Sequence, residues 1–252
     1  MGQETVSIWV TGAMAISFAL VHIGIGQLRF LDKTPRSRWL SFAGGVAVAY
    51  VFLHILPELA AHSFTFSEAI GLDEKMAESA VYSLALIGLV LFYGTEQLLS
   101  SSKSKQVAEG KKERAGTGEF WIHIASSALL IAIIAYLLNH REDYGAMSLA
   151  VYFVAMVLHF TTADYGTRSE HPELYENYGR WVLAAATLGG WLVGELVELP
   201  QIAIGGLFAF VGGGIVLVVL KEELPEERQS AFVPFFAGAV IYAALVIGET
   251  AL

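Results

Sequence analysis

Two histidines lie inside apolar stretches, His123 in FWIHIASSALL and His159 in MVLHFTTAD. An ionisable side chain at membrane depth is costly and marks a functional position by default. Imidazole is a ligand for borderline divalent metals, and hydroxyls follow each histidine: Ser126 and Ser127 after the first, Thr161 and Thr162 after the second. Two imidazoles with Ser127, Thr162 and water would hold a metal weakly, because a tight zinc site has three or four ligands. A pair of inter-helix hydrogen bonds, worth about 1 kcal/mol or less each, accounts for the same residues equally well.

Other polar residues in apolar surroundings point to less. Glu195 sits in GGWLVGELVEL, roughly 10 Å from the depth of His159 at the helical rise, a place suited to an outer gate. Glu198 and Pro200 just beyond it read as interfacial. His22 ends the first apolar run, where snorkelling and coordination are equally good readings. Glu96 ends the third run beside a basic stretch that could pair it. His62, His140 and His171 fall in expected loops, and the tyrosine-rich SEHPELYENYGRW at 169–181 suits a membrane interface.

The elements that carry these residues follow from composition. The chain has 252 residues, of which 55% are hydrophobic and only 15% charged, against about 25% charged in soluble domains. Mean hydropathy is +0.58. Apolar stretches of about 20 residues, the length that crosses a ~30 Å hydrocarbon core, are expected at 6–27, 39–60, 80–99, 119–138, 146–166, 181–198, 202–220 and 232–249. The fold class is therefore an all-α membrane protein with eight spans. The first run lacks a basic leader and nearby cleavage site and is expected to be retained. With no cysteine, disulfides, thiolate ligands and cysteine nucleophiles are excluded.

Basic residues orient the spans. Arg29, Lys33, Arg36 and Arg38, then five between Lys103 and Arg114, then Arg168, Arg180, Lys221 and Arg228 all fall on one side, leaving Lys75 and Arg141 on the other. Lysine and arginine collect in cytoplasmic loops, so both termini are expected outside. The stretch 100–118 is polar and basic and reads as a flexible cytoplasmic linker. It carries no interleaved aromatics, so no nucleic-acid partner is expected. The expected partners are membrane lipid and a small-ion or small-solute substrate. GGWLVG at 189–194 contains a GxxxG that would serve a homodimer or packing within one protomer.

Residues 42–58 (FAGGVAVAYVFLHILPE) and 210–226 (FVGGGIVLVVLKEELPE) match at eight of seventeen positions at a constant offset of 168. Odd and even spans run oppositely, so the two copies have inverted topology, a hallmark of secondary transporters. Glycines in such a pair admit a close neighbour, and the proline of LPE stops or distorts a helix end. His54 and its counterpart Glu222 are expected at the interface.

Eight spans, outside termini, a polar loop after span three, FAGG…HILPE in span two and GG…ELPE in span seven resemble the ZIP metal transporters. The resemblance implies a 3+2+3 arrangement in a single transmembrane domain over 1–252. A first repeat at 1–99 and an inverted repeat at 181–252 would enclose a central pair at 119–167 that carries a divalent-metal site. Its implied function is secondary transport of a divalent metal (Zn, Fe or Mn) or another small cation, with no organic cofactor, in a bacterial inner (plasma) membrane. At the family's ligand positions this chain keeps His123 and His159 but has Ile124, Ser127, Phe160 and Ala163. Asp164 falls one residue late, about 100° round the helix. Metal-ligating candidates are therefore His123, His159, Asp164 and Glu195, with Ser127 and Thr162 along the path, and the lining is expected to be polar but short of negative charge. Loss of ligands also suits a carrier of a different solute or a non-transporting regulatory protein. An intramembrane metallohydrolase would need three ligands and an acid–base group at one depth, a set no span supplies, so no enzyme is expected.

Overall fold

The computed structural model describes residues 8–28, 38–108, 117–141, 145–223 and 231–250. These form eight main helices. They are α1 (Ile8–Gly24, ending in a 3-10 turn), α2 (Arg38–Ile70), α3 (Glu74–Ala108), α4 (Thr117–Leu137), α5 (Ala146–Glu170), α6 (Arg180–Leu196), α7 (Gln201–Glu223) and α8 (Phe232–Thr250). α1, α2, α3, α4, α5 and α7 are long and apolar enough to cross a membrane, and the chain is an integral membrane protein in that sense. Its outer surface agrees. Trp9, Leu86, Ile87, Val90 and Leu91 are exposed, as side chains facing hydrocarbon rather than water should be.

Two helices run further than their apolar stretches. α2 does not stop at Pro57. The proline ring would clash with the carbonyl four residues earlier and lacks the amide to bond it, and the helix widens there into a π-turn, Val51–Ile55, before continuing to Ile70. It ends only at Gly71, whose φ of 66° is a left-handed C-cap. The expected linker at 100–118 is helical as far as Ala108. Its Ser, Lys and Gln residues extend a helix once it leaves the apolar layer, where intrinsic propensity rather than burial decides. Residues 109–116 lie outside the described residues, as do Pro225 and Glu226 of the second LPE.

Helix neighbours are set by where backbones can approach. α2 packs along α8 and α3 along α7, in the same direction within each pair. A Cβ on Gly45 would lie 2.0 Å from the Phe235 carbonyl oxygen, and one on Gly238 would lie 2.2 Å from that of Phe42. In the other pair, a Cβ on Gly213 would lie 1.7 Å from the Ala85 carbonyl oxygen, and one on Gly88 would lie 1.9 Å from that of Phe210. Only glycine fits such backbone contacts. α2 and α7 run antiparallel, with Ile55 and Leu59 against Gly212 and His62 against Gly205. α6 packs on α1 and α4, and α5 lies between α1 and α2. Where the odd-numbered helices finish and the 109–116 connection leaves α3 is called the linker end, and the other the terminal end.

Candidate functional site

α3, α4, α5 and α7 surround a cavity at the linker end, whose polar lining includes Glu96, His123, Ser127, His159, Asp164, Glu170 and Lys221. Four of the residues singled out by their type, His123, Ser127, His159 and Asp164, thus share one space. The hydroxyl of Thr162 is buried against the His159 carbonyl, 2.9 Å away, and lines neither this cavity nor the second one described below. Glu195 is exposed near the far end of α6 and lines neither cavity, so it does not share a site with the histidines. α6 ends one residue later, and its outer turn turns Glu195 away from the bundle.

Asp164 belongs with His159 after all, because the cavity wraps far enough around α5 to meet both faces. His22 Nδ1 lies 2.7 Å from Asp164 Oδ2 and the Tyr175 hydroxyl donates to the same oxygen at 2.7 Å, with the His22 carbonyl 3.2 Å from that hydroxyl. His22 and Tyr175 are both fully buried. His22 therefore neither snorkels nor lies open. Tyr175 comes from a π-turn, Tyr175–Gly179, between α5 and α6, so the tyrosine-rich stretch read as an interface segment sends one ring into the core. A carboxylate taken out of water needs hydrogen-bond partners, and His22 and Tyr175 supply two.

The lining also carries more charge than expected. Glu96 meets two groups across the cavity. Lys221 Nζ of α7 bonds its Oε2, and His123 Nδ1 lies 3.4 Å from its Oε1. Thr167 Oγ1 lies 3.2 Å from the Ala163 carbonyl and 3.1 Å from His123 Nε2. Every carboxylate of this cavity that lies beside a histidine has an internal partner. Glu96 and Lys221 were legible as a charged pair only if α3 and α7 were known to run side by side.

A second cavity opens at the terminal end between α2, α4, α5 and α7, lined on its polar side by Tyr50, Glu58, His62, His140, Arg141 and Tyr152. Of the histidines expected in loops, His140 lies in the turn after α4, whereas His62 is helical. His62 is 4% exposed on the extended part of α2, and His140 reaches the Gly194 carbonyl at 3.1 Å. A signal for this site was present in the sequence. His54, Glu58 and His62 recur every fourth residue, a polar stripe on one helical face. His171 is also buried, against Phe120.

The two cavities nearly meet. On α4 the linker-end cavity reaches Ile131 and the terminal-end cavity Ile134; on α5 they reach His159 and Met156, and on α7 Val218 and Ile215. Three residues separate each pair, so an apolar septum about 4.5 Å thick divides them. The two spaces measure about 730 Å³ and 580 Å³ including the open solvent at their mouths. Among the described residues, no three His, Asp or Glu side chains converge as a metal-ligand group. No protein-family model matches this chain, and no curated protein matches it.

Proposed function

We propose that this chain is a ZIP-like secondary transporter that moves a divalent metal or another small cation by alternating access through the two cavities. The observation that carries this reading is the pair of half-channels entering from opposite ends and stopping one helical turn apart, with His159 at the septum and His123 above it. A rearrangement that shifts the septum by a turn would transfer a bound ion from one cavity to the other.

The inverted 3+2+3 arrangement, spans 1–3 against 6–8, belongs to the same proposal and has support beyond the eight identities. An offset of 168 takes Phe42 and Gly45 to Phe210 and Gly213, and one of 150 takes Ala85 and Gly88 to Phe235 and Gly238. The α2–α8 interlock thereby becomes the α7–α3 interlock, residue for residue. Exchanging α1 with α6, α2 with α7, α3 with α8 and α4 with α5 likewise carries α4–α6 into α5–α1 and α2–α5 into α7–α4, all of them contacts of this bundle. The basic residues set the linker end in the cytoplasm, with both termini outside.

Reconstitution of the full chain in liposomes containing a zinc-sensitive dye tests the function. Zn²⁺ uptake above that of protein-free vesicles is expected, and the double variant His123→Ala/His159→Ala should lose it while keeping its thermal transition. Absence of uptake for Zn²⁺, Mn²⁺, Fe²⁺ and Co²⁺ alike would favour a second reading, carriage of a different solute. The internal partners already on Glu96 and Asp164 are what support that alternative.

A further inference from the structure

The Glu96–Lys221 pair is not placed as a packing salt bridge would be. It stands in the linker-end cavity, with the two side chains 16% and 28% exposed respectively. Around the carboxylate are His123 Nδ1 at 3.4 Å and the Thr167 hydroxyl 3.1 Å from the other nitrogen of the same ring. The Lys221 ammonium sits on Glu96 Oε2. α3 and α7 are locked by the Gly88 and Gly213 backbone contacts, so the acid cannot move away, whereas the flexible four-carbon stem of the lysine can swing clear.

We propose that Lys221 is a tethered counter-cation, its ammonium occupying a cation subsite built from the Glu96 carboxylate and His123 Nδ1. A divalent cation of borderline softness, suited to one oxygen and one imidazole donor, takes the subsite by displacing the ammonium. The inference rests on the cation-transport reading and adds how the site behaves without substrate. A bare carboxylate in this partly buried cavity is unfavourable. With the lysine seated the empty site is charge-matched, and a divalent ion in its place leaves the subsite with one net positive charge. The lysine also sets a threshold, because a cation must outcompete it to bind.

Co²⁺ binding to the purified full chain in detergent, measured by titration calorimetry, tests this without requiring flux. K221Q should bind Co²⁺ at least about tenfold more tightly than the wild type. K221R should match the wild type, and E96Q/K221Q should lose the gain. A K221Q affinity no tighter than wild type, or a gain that survives E96Q, overturns the proposal. A second arm uses the wild-type protein and does not depend on folding of a variant. Reductive methylation of Lys221, followed by peptide mass spectrometry, should accelerate when Co²⁺ is added; an unchanged or slower rate overturns the proposal. Failure of liposome uptake would remove the transport reading and leave these binding results standing, and the converse also holds.

Discussion

The two cavities hold ionisable groups in different ways. At the linker end each acid beside a histidine has an internal partner at hydrogen-bond distance, Asp164 with fully buried His22 and Tyr175 and Glu96 with Lys221. At the terminal end the groups lean on aromatic faces and on partial exposure. Arg141 stands 4.1 Å over the Tyr152 ring, Tyr50 meets Tyr152 and Tyr242 edge-on, and the Glu58 side chain, 25% exposed, is 4.0 Å from His54. The difference shows how depth governs polar design. Where water is excluded, a charge needs an opposite charge or donors at hydrogen-bond distance. Near the mouth, solvent and ring quadrupoles contribute as well.

That contrast can be broken by substitution. The largest effect is expected from Asp164→Ala, which strands a buried imidazole and a buried phenol together. Thermal unfolding in detergent should report a loss of about 3–5 kcal/mol. Glu58→Gln at the other end should cost less than about 1 kcal/mol. Equal losses from the two would show that the cavities are not held differently.

Next come the interlocks that frame the cavities. Gly213→Ala and Gly45→Ala each drive a methyl into a carbonyl oxygen, and each should cost about 1–3 kcal/mol by the same assay. If the two interlocks are equivalent, the costs should agree closely. One glycine tolerating alanine while the other does not would break the equivalence of the α2–α8 and α3–α7 pairs. The smallest effect is expected from Arg141→Gln, which removes a partly exposed cation from the Tyr152 ring and should lower stability by about 0.5–1 kcal/mol. A larger drop would place Arg141 with the deeply paired groups of the linker end.

Much of the architecture was legible in the residue order. Runs of apolar residues dictated eight helices because a backbone in hydrocarbon must bond to itself. The GG pairs pointed to close helix contacts, which Gly45 and Gly213 make against backbone oxygens. His123 and His159 stood out because nothing ionisable is cheap at that depth. Lengths were less legible. α2 and α3 outrun their apolar segments, since hydropathy marks where a helix must be buried and says little about where a helix goes on in a polar setting.

Partnership was decided by the tertiary structure alone. Nothing local tells that His22 reaches Asp164, 142 residues away, or that Lys221 reaches Glu96 across 125. A helical pattern fixes which face a residue occupies, while the direction of that face depends on which other helix packs there and at what rotation. Asp164 illustrates the point. Its angle from His159 followed from the helical repeat, but the cavity that includes both exists only because α3, α4 and α7 close around α5. The sequence by itself determined an eight-helix membrane bundle with two conspicuous histidines. The pairing of its charges, and so the chemistry its cavities can perform, came from long-range packing, because an ion pair in low dielectric depends on distance and sequence order carries none.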